Sequence, residues 1–180
     1  MPEHAHPAHE RVRDAARQRG VEIEIVTFDA STHTAQEAAD AIGVQLAQIV
    51  KSLVFMAPLD PAGSDDELEP VVVLVRGTDR VDIGKLASVS GRPRIRRASA
   101  DEAYAATGYP IGGIPPFGHR RRIAVVMDPA LDGYEQVWAA AGTATAVFAI
   151  APATLAMLSD ALVAPCAEDA DAGAPLAATS

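Results

Sequence analysis

The sequence is poor in cysteine, lysine, aromatic residues and long apolar runs. Its 180 residues include one cysteine, Cys166, so neither a disulfide framework nor a C-x-x-C pair can form. No apolar run approaches the roughly 20 residues of a membrane span, and the N-terminus lacks the apolar core of a signal peptide. Aromatic residues make up only 4% of the chain. We therefore expect a cytoplasmic protein with a core of alanine and valine and no membrane contact.

The sequence also lacks the common catalytic signatures. It contains no G-x-S-x-G elbow, no H-E-x-x-H pair and no Walker loop. Three histidines, His4, His6 and His9, could bind a metal, but a frayed terminus holds no fixed geometry, so we expect them to be solvated. We predict no metal and no cofactor. An enzyme built from this chain would have to work by positioning and backbone hydrogen bonding.

The charge balance argues against generic nucleic-acid binding. The net charge is −9 and the isoelectric point is about 4.9, whereas nucleic-acid-binding domains are usually basic. Positive charge is nevertheless concentrated in two clusters, which are Arg92, Arg94, Arg96 and Arg97, and His119 with Arg120, Arg121 and Arg122. Either cluster could meet a phosphate backbone or form a solvated rim. If residues 92–96 are extended, alternate arginines would share one face.

Hydrophobic periodicity predicts a single mixed α/β domain. Apolar periodicity and capping signals predict five helices, over 9–19, 34–42, 82–90, 99–107 and 152–162. Apolar or alternating runs predict strands over 21–28, 49–56, 70–75, 123–127 and 146–150, with a short one over 134–138. The polar segment 57–70 is typical of a hairpin connection. We expect the ordered domain to span residues 10–162, with disorder over 1–9 and 163–180.

The segment from Gly108 to Gly118 is rich in glycine and proline, which occupy seven of its eleven positions. Proline fixes φ, and glycine lets another molecule approach the main chain closely. Such a loop can present bare N–H groups to a carbonyl oxygen or an oxyanion. On composition alone, a rigid connector between two elements is the more common alternative.

Lysine occurs only at Lys51 and Lys85. Lys51 stands within the apolar strand predicted over 49–56, where an unpaired ammonium group is costly to bury. It must therefore reach a partner, solvent or a ligand, and position alone does not decide among a strand-edge role, an internal ion pair and a functional role. Lys85 lies on the polar side of a predicted helix.

Five segments, taken in order, resemble the YbaK/EbsC family, the free-standing relatives of the prolyl-tRNA synthetase editing domain. They are Thr34-Ala35-Gln36-Glu37-Ala38-Ala39, Gln48-Ile49-Val50-Lys51-Ser52-Leu53-Val54-Phe55, Val81-Asp82-Ile83-Gly84-Lys85-Leu86-Ala87, the loop from Thr107 to Gly118, and Trp138-Ala139-Ala140-Ala141-Gly142. The lysine strand followed by the Gly-Gly-x-x-Pro loop is the specific combination. The resemblance implies a mixed-sheet α/β fold and hydrolysis of the ester of mischarged tRNA, usually tRNA for proline.

The resemblance also implies site residues. Lys51 matches the functional lysine of the family, and Gly112 and Gly113 match the glycines whose backbone lines the aminoacyl pocket. Phe28 and Ser52 fall at positions that are expected to shape the pocket. Ile114 and Pro115 in the loop, and His119 just after it, are further candidates for contact with the ligand, although His119 could instead be a surface residue. The expected partners are aminoacyl-tRNA and a prolyl-tRNA synthetase. In some relatives the thiol or hydroxyl of the substrate itself attacks the ester, which would account for the missing nucleophile.

Other functions remain open at this stage. A non-catalytic module could keep the pocket and only dock tRNA or a synthetase, and a hydrolase could act on a small aminoacyl ester. Some relatives carry an acidic residue in the strand after the Ala-Gly turn, but the segment Ala144-Thr145-Ala146-Val147-Phe148 has none. The amino acid removed could therefore be cysteine, alanine, serine or threonine.

Overall fold

The computed structural model describes residues 5–29, 34–60, 62, 64 and 66–169. Within these residues lie five α-helices, which are α1 (Pro7–Gln18), α2 (Ala35–Ile42), α3 (Ile83–Ser90), α4 (Ala100–Thr107) and α5 (Pro152–Ser159). The strands are β1 (Ile25–Thr27), β2 (Val50–Pro58), β3 (Leu68–Arg76), β4 (Arg96–Arg97), β5 (Ala124–Met127), β6 (Val137–Ala140), β7 (Ala146–Ile150) and β8 (Leu162–Val163). None of the described helices is long and apolar enough to cross a membrane.

The strands form two sheets. One has the order β4-β2-β3-β5-β8, and the other has the order β1-β7-β6. β2 and β3 are antiparallel, whereas β5 runs parallel to β3, and β8 runs parallel to β5. The mixed α/β class predicted from the sequence is therefore confirmed, with helices and strands interspersed but not in strict alternation.

The hairpin of β2 and β3 is the centre of the molecule. The two strands pair from Val50 opposite Arg76 to Pro58 opposite Leu68, so the polar segment between them is the predicted hairpin connection. Side chains of β2 alternate between two cores. Val54 enters the larger core, with α1 and the three-stranded sheet, while Phe55 enters a smaller core beneath α3. A strand that is buried on both faces leaves little room for a charged side chain, and this strand carries Lys51.

The Gly/Pro loop is anchored at its start by a capped helix. Ser99 and Glu102 form the predicted capping box of α4, in which the Ser99 Oγ accepts the Glu102 N–H at 3.1 Å and a Glu102 carboxylate oxygen accepts the Ser99 N–H at 2.8 Å. Tyr109, fully buried, donates its hydroxyl hydrogen to the Gly118 carbonyl at 2.8 Å. This hydrogen bond joins the two ends of the loop and gives it a defined shape.

The N-terminal expectation is wrong over residues 7–9, because α1 begins at Pro7. The His6 side chain caps this helix by accepting the Ala8 N–H at 3.1 Å. His9 lies on the buried face of α1 and is only 9% exposed, so it is not the solvated residue that the sequence suggested. His4 lies outside the described residues.

The C-terminal expectation is wrong over residues 163–169. β8 extends the five-stranded sheet, and Cys166 is fully buried behind it. The N–H groups of Cys166 and Ala167 both donate to one carboxylate oxygen of Asp128, each at 2.9 Å. These hydrogen bonds hold the segment after β8 in place. Without the Asp128 carboxylate, the two backbone N–H groups would be left without partners. Residues 170–180 lie outside the described residues.

Three smaller predictions also need correction. The helix expected to reach residue 162 ends at Ser159, because Asp160 adopts a left-handed conformation with φ 49°. The strand expected over 21–28 is limited to β1, and the one over 134–138 is displaced to β6. The alternating arginines do not form one strand face, because only Arg96 and Arg97 are in β-structure.

Candidate functional site

A cavity of about 220 Å³ lies at the point where the two sheets separate. β2 forms its floor, and the Gly/Pro loop and the turn between β6 and β7 close it from the sides. Apart from Trp138, its apolar lining consists of small or medium side chains, among them Ile49, Val54, Ala98, Ala103, Ala140 and Ala146. The described lining residues include no aspartate, glutamate, histidine or cysteine.

An unpaired stretch of the β2 edge opens into this cavity. A parallel bridge joins Ile49 to Trp138 at one end of the stretch, and β4 pairs with β2 from Phe55 onward at the other. The Val54 carbonyl accepts the Ala98 N–H at 2.9 Å and therefore faces away from β3. Because backbone groups alternate along a strand, the N–H and C=O of Ser52 face the same way. The backbone of Ser52 thus points to the cavity rather than to β3.

Ser52 also carries an unsatisfied hydroxyl group. Its Oγ is the one buried side-chain nitrogen or oxygen atom in the described residues that has no hydrogen-bond partner. Leaving a buried hydroxyl without a partner costs about 1–3 kcal/mol. Since Ser52 lines the cavity, a bound ligand with a polar group could remove that cost. The hydroxyl is therefore a candidate hydrogen-bond partner for a ligand.

Lys51 lines the same cavity and is half-buried. Its Nζ donates a hydrogen bond to the Asp79 carbonyl oxygen. Burial lowers the pKa of Lys51, the Asp79 carboxylate opposes this shift, and the charges of Arg97 and Arg80 add to it. The Asp79 carboxylate is itself held by Arg76, at 2.7 and 3.0 Å. The ammonium group is therefore oriented by a carbonyl, and no ion pair with a carboxylate is found for it among the described residues.

Arg97 adds a second cation to the cavity wall. Its guanidinium group lies 5.7 Å from the centre of the Phe55 ring, and we find no carboxylate paired with it in the described part of the chain. Its neighbours differ, because Arg92 pairs with Glu69 at 2.6 Å and Arg96 pairs with Glu102 at 2.8 Å. Of the basic cluster 92–97, Arg97 is thus the member that the fold directs to the cavity.

The two glycines of the loop have different positions. Gly112 lines the cavity with φ 92°, and no hydrogen bond from its N–H is found within the described residues. Gly113 is buried, and its N–H donates to the Pro110 carbonyl at 3.0 Å. Of the two glycines predicted to line the pocket with their backbone, Gly112 is therefore the one whose N–H has no partner in the described residues. The Gly113 hydrogen bond closes the turn that presents Gly112.

Of the five residues expected to shape the pocket or touch the ligand, Ser52 and Ile114 line the cavity and three do not. Pro115 is buried within the loop, and Phe28 follows β1 with its N–H donating to the Thr145 carbonyl at 2.8 Å. His119 lies on the far side of the loop, in a separate cleft, and its Nε2 donates to the Pro115 carbonyl at 2.7 Å. Burial lowers the pKa of His119. These three residues are therefore not among the lining residues of this cavity, and their contact with a ligand stays a prediction.

Thr143 and Trp138 are among the lining residues that were not predicted as site residues. Trp138 lies within a segment that carried the family resemblance, and its bridge to Ile49 gives the reason for its place. Thr143 had no signal in the sequence, because it reaches the cavity only through the turn between β6 and β7. Fold and cavity together define a single-domain α/β protein with a small pocket built from backbone groups, one lysine, one arginine and hydroxyl groups.

Comparisons with known proteins agree with this description. The sequence model of the aminoacyl-tRNA editing domain matches residues 29–158, and the chain belongs to this family. The resemblance to the YbaK/EbsC proteins is confirmed as well, since a protein of Enterococcus faecalis provisionally named Cys-tRNA(Pro)/Cys-tRNA(Cys) deacylase EbsC is 24% identical over 127 residues, covering 71% of this chain and 73% of that protein.

A longer relative and a solved structure were also found. Proline–tRNA ligase of Limosilactobacillus fermentum is 34% identical over 118 residues, which are 65% of this chain, and the chain spans 20% of the length of that ligase. A crystal structure provisionally described as a trans-editing enzyme for prolyl tRNA synthetase superposes with a TM-score of 0.80 at 39% identity, covering 91% of this chain and 99% of that one. The fold is therefore that of the stand-alone editing proteins.

Proposed function

We propose that this protein is an aminoacyl-tRNA deacylase that acts in trans on mischarged tRNA. The proposed substrate is tRNA for proline that carries cysteine, alanine, serine or threonine. The family match and the names of the relatives support the class of reaction. The single observation that carries the proposal is a cavity lined by Lys51, Ser52 and Gly112, whose described lining residues include no aspartate, glutamate, histidine or cysteine.

The proposed reaction is simple hydrolysis. A water oxygen attacks the ester carbonyl carbon, and the carbonyl electrons move to the oxygen to form a tetrahedral oxyanion. The oxyanion then re-forms the carbonyl as the bond from that carbon to the ribose oxygen breaks, the ribose oxygen takes up the proton that the attacking water gives up, and the free amino acid leaves. Because an aminoacyl ester is already activated, holding it still and stabilising the oxyanion supply most of what is needed.

Each lining group has a proposed role. The Gly112 N–H donates to the ester oxygen as it becomes an oxyanion, and donors of this kind typically contribute about 3 kcal/mol to the transition state. Lys51 places a positive charge near the ester or the terminal phosphate, in an orientation fixed by the Asp79 carbonyl. The Ser52 hydroxyl hydrogen-bonds a polar group of the aminoacyl moiety. These roles need no cofactor.

The two cationic residues that line the cavity, Lys51 and Arg97, suit the phosphate groups of a tRNA substrate. Arg97 stands beside Lys51 with no carboxylate partner in the described residues, so a phosphate group would find two cations at one edge of the cavity. Neutralising phosphates releases counterions, so we expect the affinity for tRNA to fall as ionic strength rises. An acidic protein can bind tRNA in this way when its unpaired cations are concentrated at the site.

The test is a deacylation panel. Purified protein is incubated with tRNA for proline charged separately with cysteine, alanine, serine, threonine and proline, and release of the amino acid is followed over time. We expect fast release of at least one of the first four and slow release of proline. Binding without release of any amino acid would contradict the proposal and favour a non-catalytic docking module. Equally fast release from small ester analogues would favour a general esterase.

A further inference from the structure

Helix α1 lies outside the segment that the family model matches, yet it touches the cavity wall. The matched segment begins at residue 29, whereas α1 ends at Gln18. The buried face of α1 carries Ala8, His9, Val12 and Ala16. Three of these side chains are apolar and pack in the larger core. His9 is the polar member of this face.

His9 reaches the site through a hydrogen bond. Its Nε2 lies 2.9 Å from the Thr143 Oγ1, which lies 3.2 Å from the Thr145 Oγ1. Whichever tautomer His9 adopts, this pair can form, because a hydroxyl group both donates and accepts. Thr143 in turn lines the cavity. The imidazole is therefore connected to the cavity wall, although the ring itself is not part of that wall.

Thr143 connects this hydrogen bond to the Gly/Pro loop. A Cβ atom on Gly113 would lie 2.7 Å from the Thr143 Cα and 2.9 Å from its N and C atoms, so the two backbones are in direct contact. Gly113 closes the turn that presents Gly112. A second contact ties the turn between β6 and β7 to α1, because Ala8 packs directly against Gly142 in that turn. Displacement of Thr143 would therefore move the glycine turn.

We propose that His9 is a positioning residue, which holds Thr143 and, through the Thr143 backbone, sets the position of the Gly112–Gly113 turn in the pocket. His9 does not touch the substrate in this proposal. The readout by turnover rests on the proposed deacylation, whereas the readout by nuclear magnetic resonance described below does not.

A helix residue could instead matter only because it fills the core, and three variants separate the two explanations. His9→Leu keeps apolar bulk and removes the nitrogen. His9→Gln places an amide nitrogen near the position of Nε2 and can restore the hydrogen bond. Val12→Ala is the matched control, because Val12 is fully buried on the same helix and its aliphatic side chain cannot hydrogen-bond Thr143.

The first measurement is single-turnover deacylation of the best substrate from the panel, together with the melting temperature of each variant. We expect His9→Leu to lower the rate about tenfold with little change in substrate affinity, since a slightly displaced oxyanion donor affects the transition state most. His9→Gln should recover most of the rate. Val12→Ala should lower the melting temperature at least as much as His9→Leu but keep the rate. Equal losses in His9→Gln and His9→Leu, or an equal loss in Val12→Ala, would overturn the proposal.

The second measurement needs no substrate. The ¹H–¹⁵N resonances of Gly112 and Gly113 should shift in His9→Leu and return towards the wild-type positions in His9→Gln. If the wild-type protein releases no amino acid but these shifts occur, the proposed function fails and the positioning role stands. Unchanged glycine resonances in a folded His9→Leu protein would overturn the positioning role. If His9→Leu does not fold, Thr143→Val takes its place, and it must shift these resonances more than Thr143→Ser does.

Discussion

The backbone of Gly113 lies directly against the backbone of Thr143, so that a methyl group on Gly113 would come within 2.7 Å of the Thr143 Cα. Both partners of this contact are main chain, which cannot move aside as a flexible side chain can. The contact joins the Gly/Pro loop to the turn between β6 and β7, and these are two of the walls of the cavity. It fixes the distance between them.

Gly113→Ala should therefore damage the site and the fold together. Overpacking of this kind costs about 1–3 kcal/mol. We expect a loss of that size in the free energy of unfolding, measured with urea, and at least a tenfold fall in deacylation by the protein that remains folded. Gly133→Ala is the control, because a Cβ atom there meets nothing within 4 Å. Wild-type activity in Gly113→Ala would show that the contact does not set the pocket.

The features of the fold that could be predicted from the sequence are those set by residues that lie close together in the chain. The capping box of Ser99 and Glu102 and the hairpin of β2 and β3 follow from neighbouring residues, and the structure confirms both. The tail residue Cys166 was misjudged because its partner, Asp128, lies far away in sequence. The Ala/Pro composition of that tail favoured disorder, and only the tertiary hydrogen bonds overrule it.

The residues of the candidate site also divide into those with a signal in the neighbouring sequence and those placed by contacts between distant segments. Lys51 could be singled out because a lysine in an apolar strand is locally anomalous, and Gly112 because its loop is rich in glycine and proline. His9 and Thr143 could not, since their hydrogen bond joins residues separated by 134 positions. His119 lies in a separate cleft and not among the residues that line the cavity, and its place just after the loop in sequence could not reveal this.

Ser52→Ala should leave the fold intact or make it more stable. The variant removes a buried hydroxyl that has no partner, so we expect the free energy of unfolding to stay equal or rise by up to about 1 kcal/mol. Activity should fall about five- to tenfold, because the polar group of the substrate loses its partner. Ser90→Ala is the matched control, since its hydroxyl donates to the Leu86 carbonyl at 2.6 Å. It should lose about 1 kcal/mol of stability and no activity. A clear loss of stability in Ser52→Ala would contradict our description of the cavity.

Acid should reveal the contribution of Glu102. Hydrogen bonds from Arg96, and then from the Ser99 backbone, hold the pKa of Glu102 at about 2, below its ordinary 4.5. A carboxylate with a lowered pKa in the folded state stabilises the protein above its ordinary pKa, and this stabilisation is lost as the pH falls towards 2. The difference in unfolding free energy between wild type and Glu102→Gln should be constant above about pH 5 and shrink below it. A difference that does not depend on pH in urea titrations would refute this assignment.

Cys166 should be almost inert in the native protein. Burial, followed by the nearby Asp128 carboxylate, raises the pKa of its thiol to about 12. Because the thiolate is the reactive form, alkylation by iodoacetamide at about pH 8 should be at least a hundredfold slower in the native protein than in urea. Mass spectrometry of timed samples measures both rates. Rapid labelling of the native protein would show that the segment after β8 is not held as described.

The most direct test of the central claim compares the two lysines of the chain. Lys51→Ala and Lys85→Ala are assayed beside the wild type, under single-turnover conditions, for release of the amino acid from the preferred mischarged tRNA. Lys85 pairs with Asp169 at 2.6 Å, away from the cavity, so Lys85→Ala should keep the wild-type rate. Lys51→Ala should fold, as judged by its circular dichroism and melting curve, and lose at least about a hundredfold in rate. A folded Lys51→Ala protein that deacylates as fast as Lys85→Ala would contradict the account.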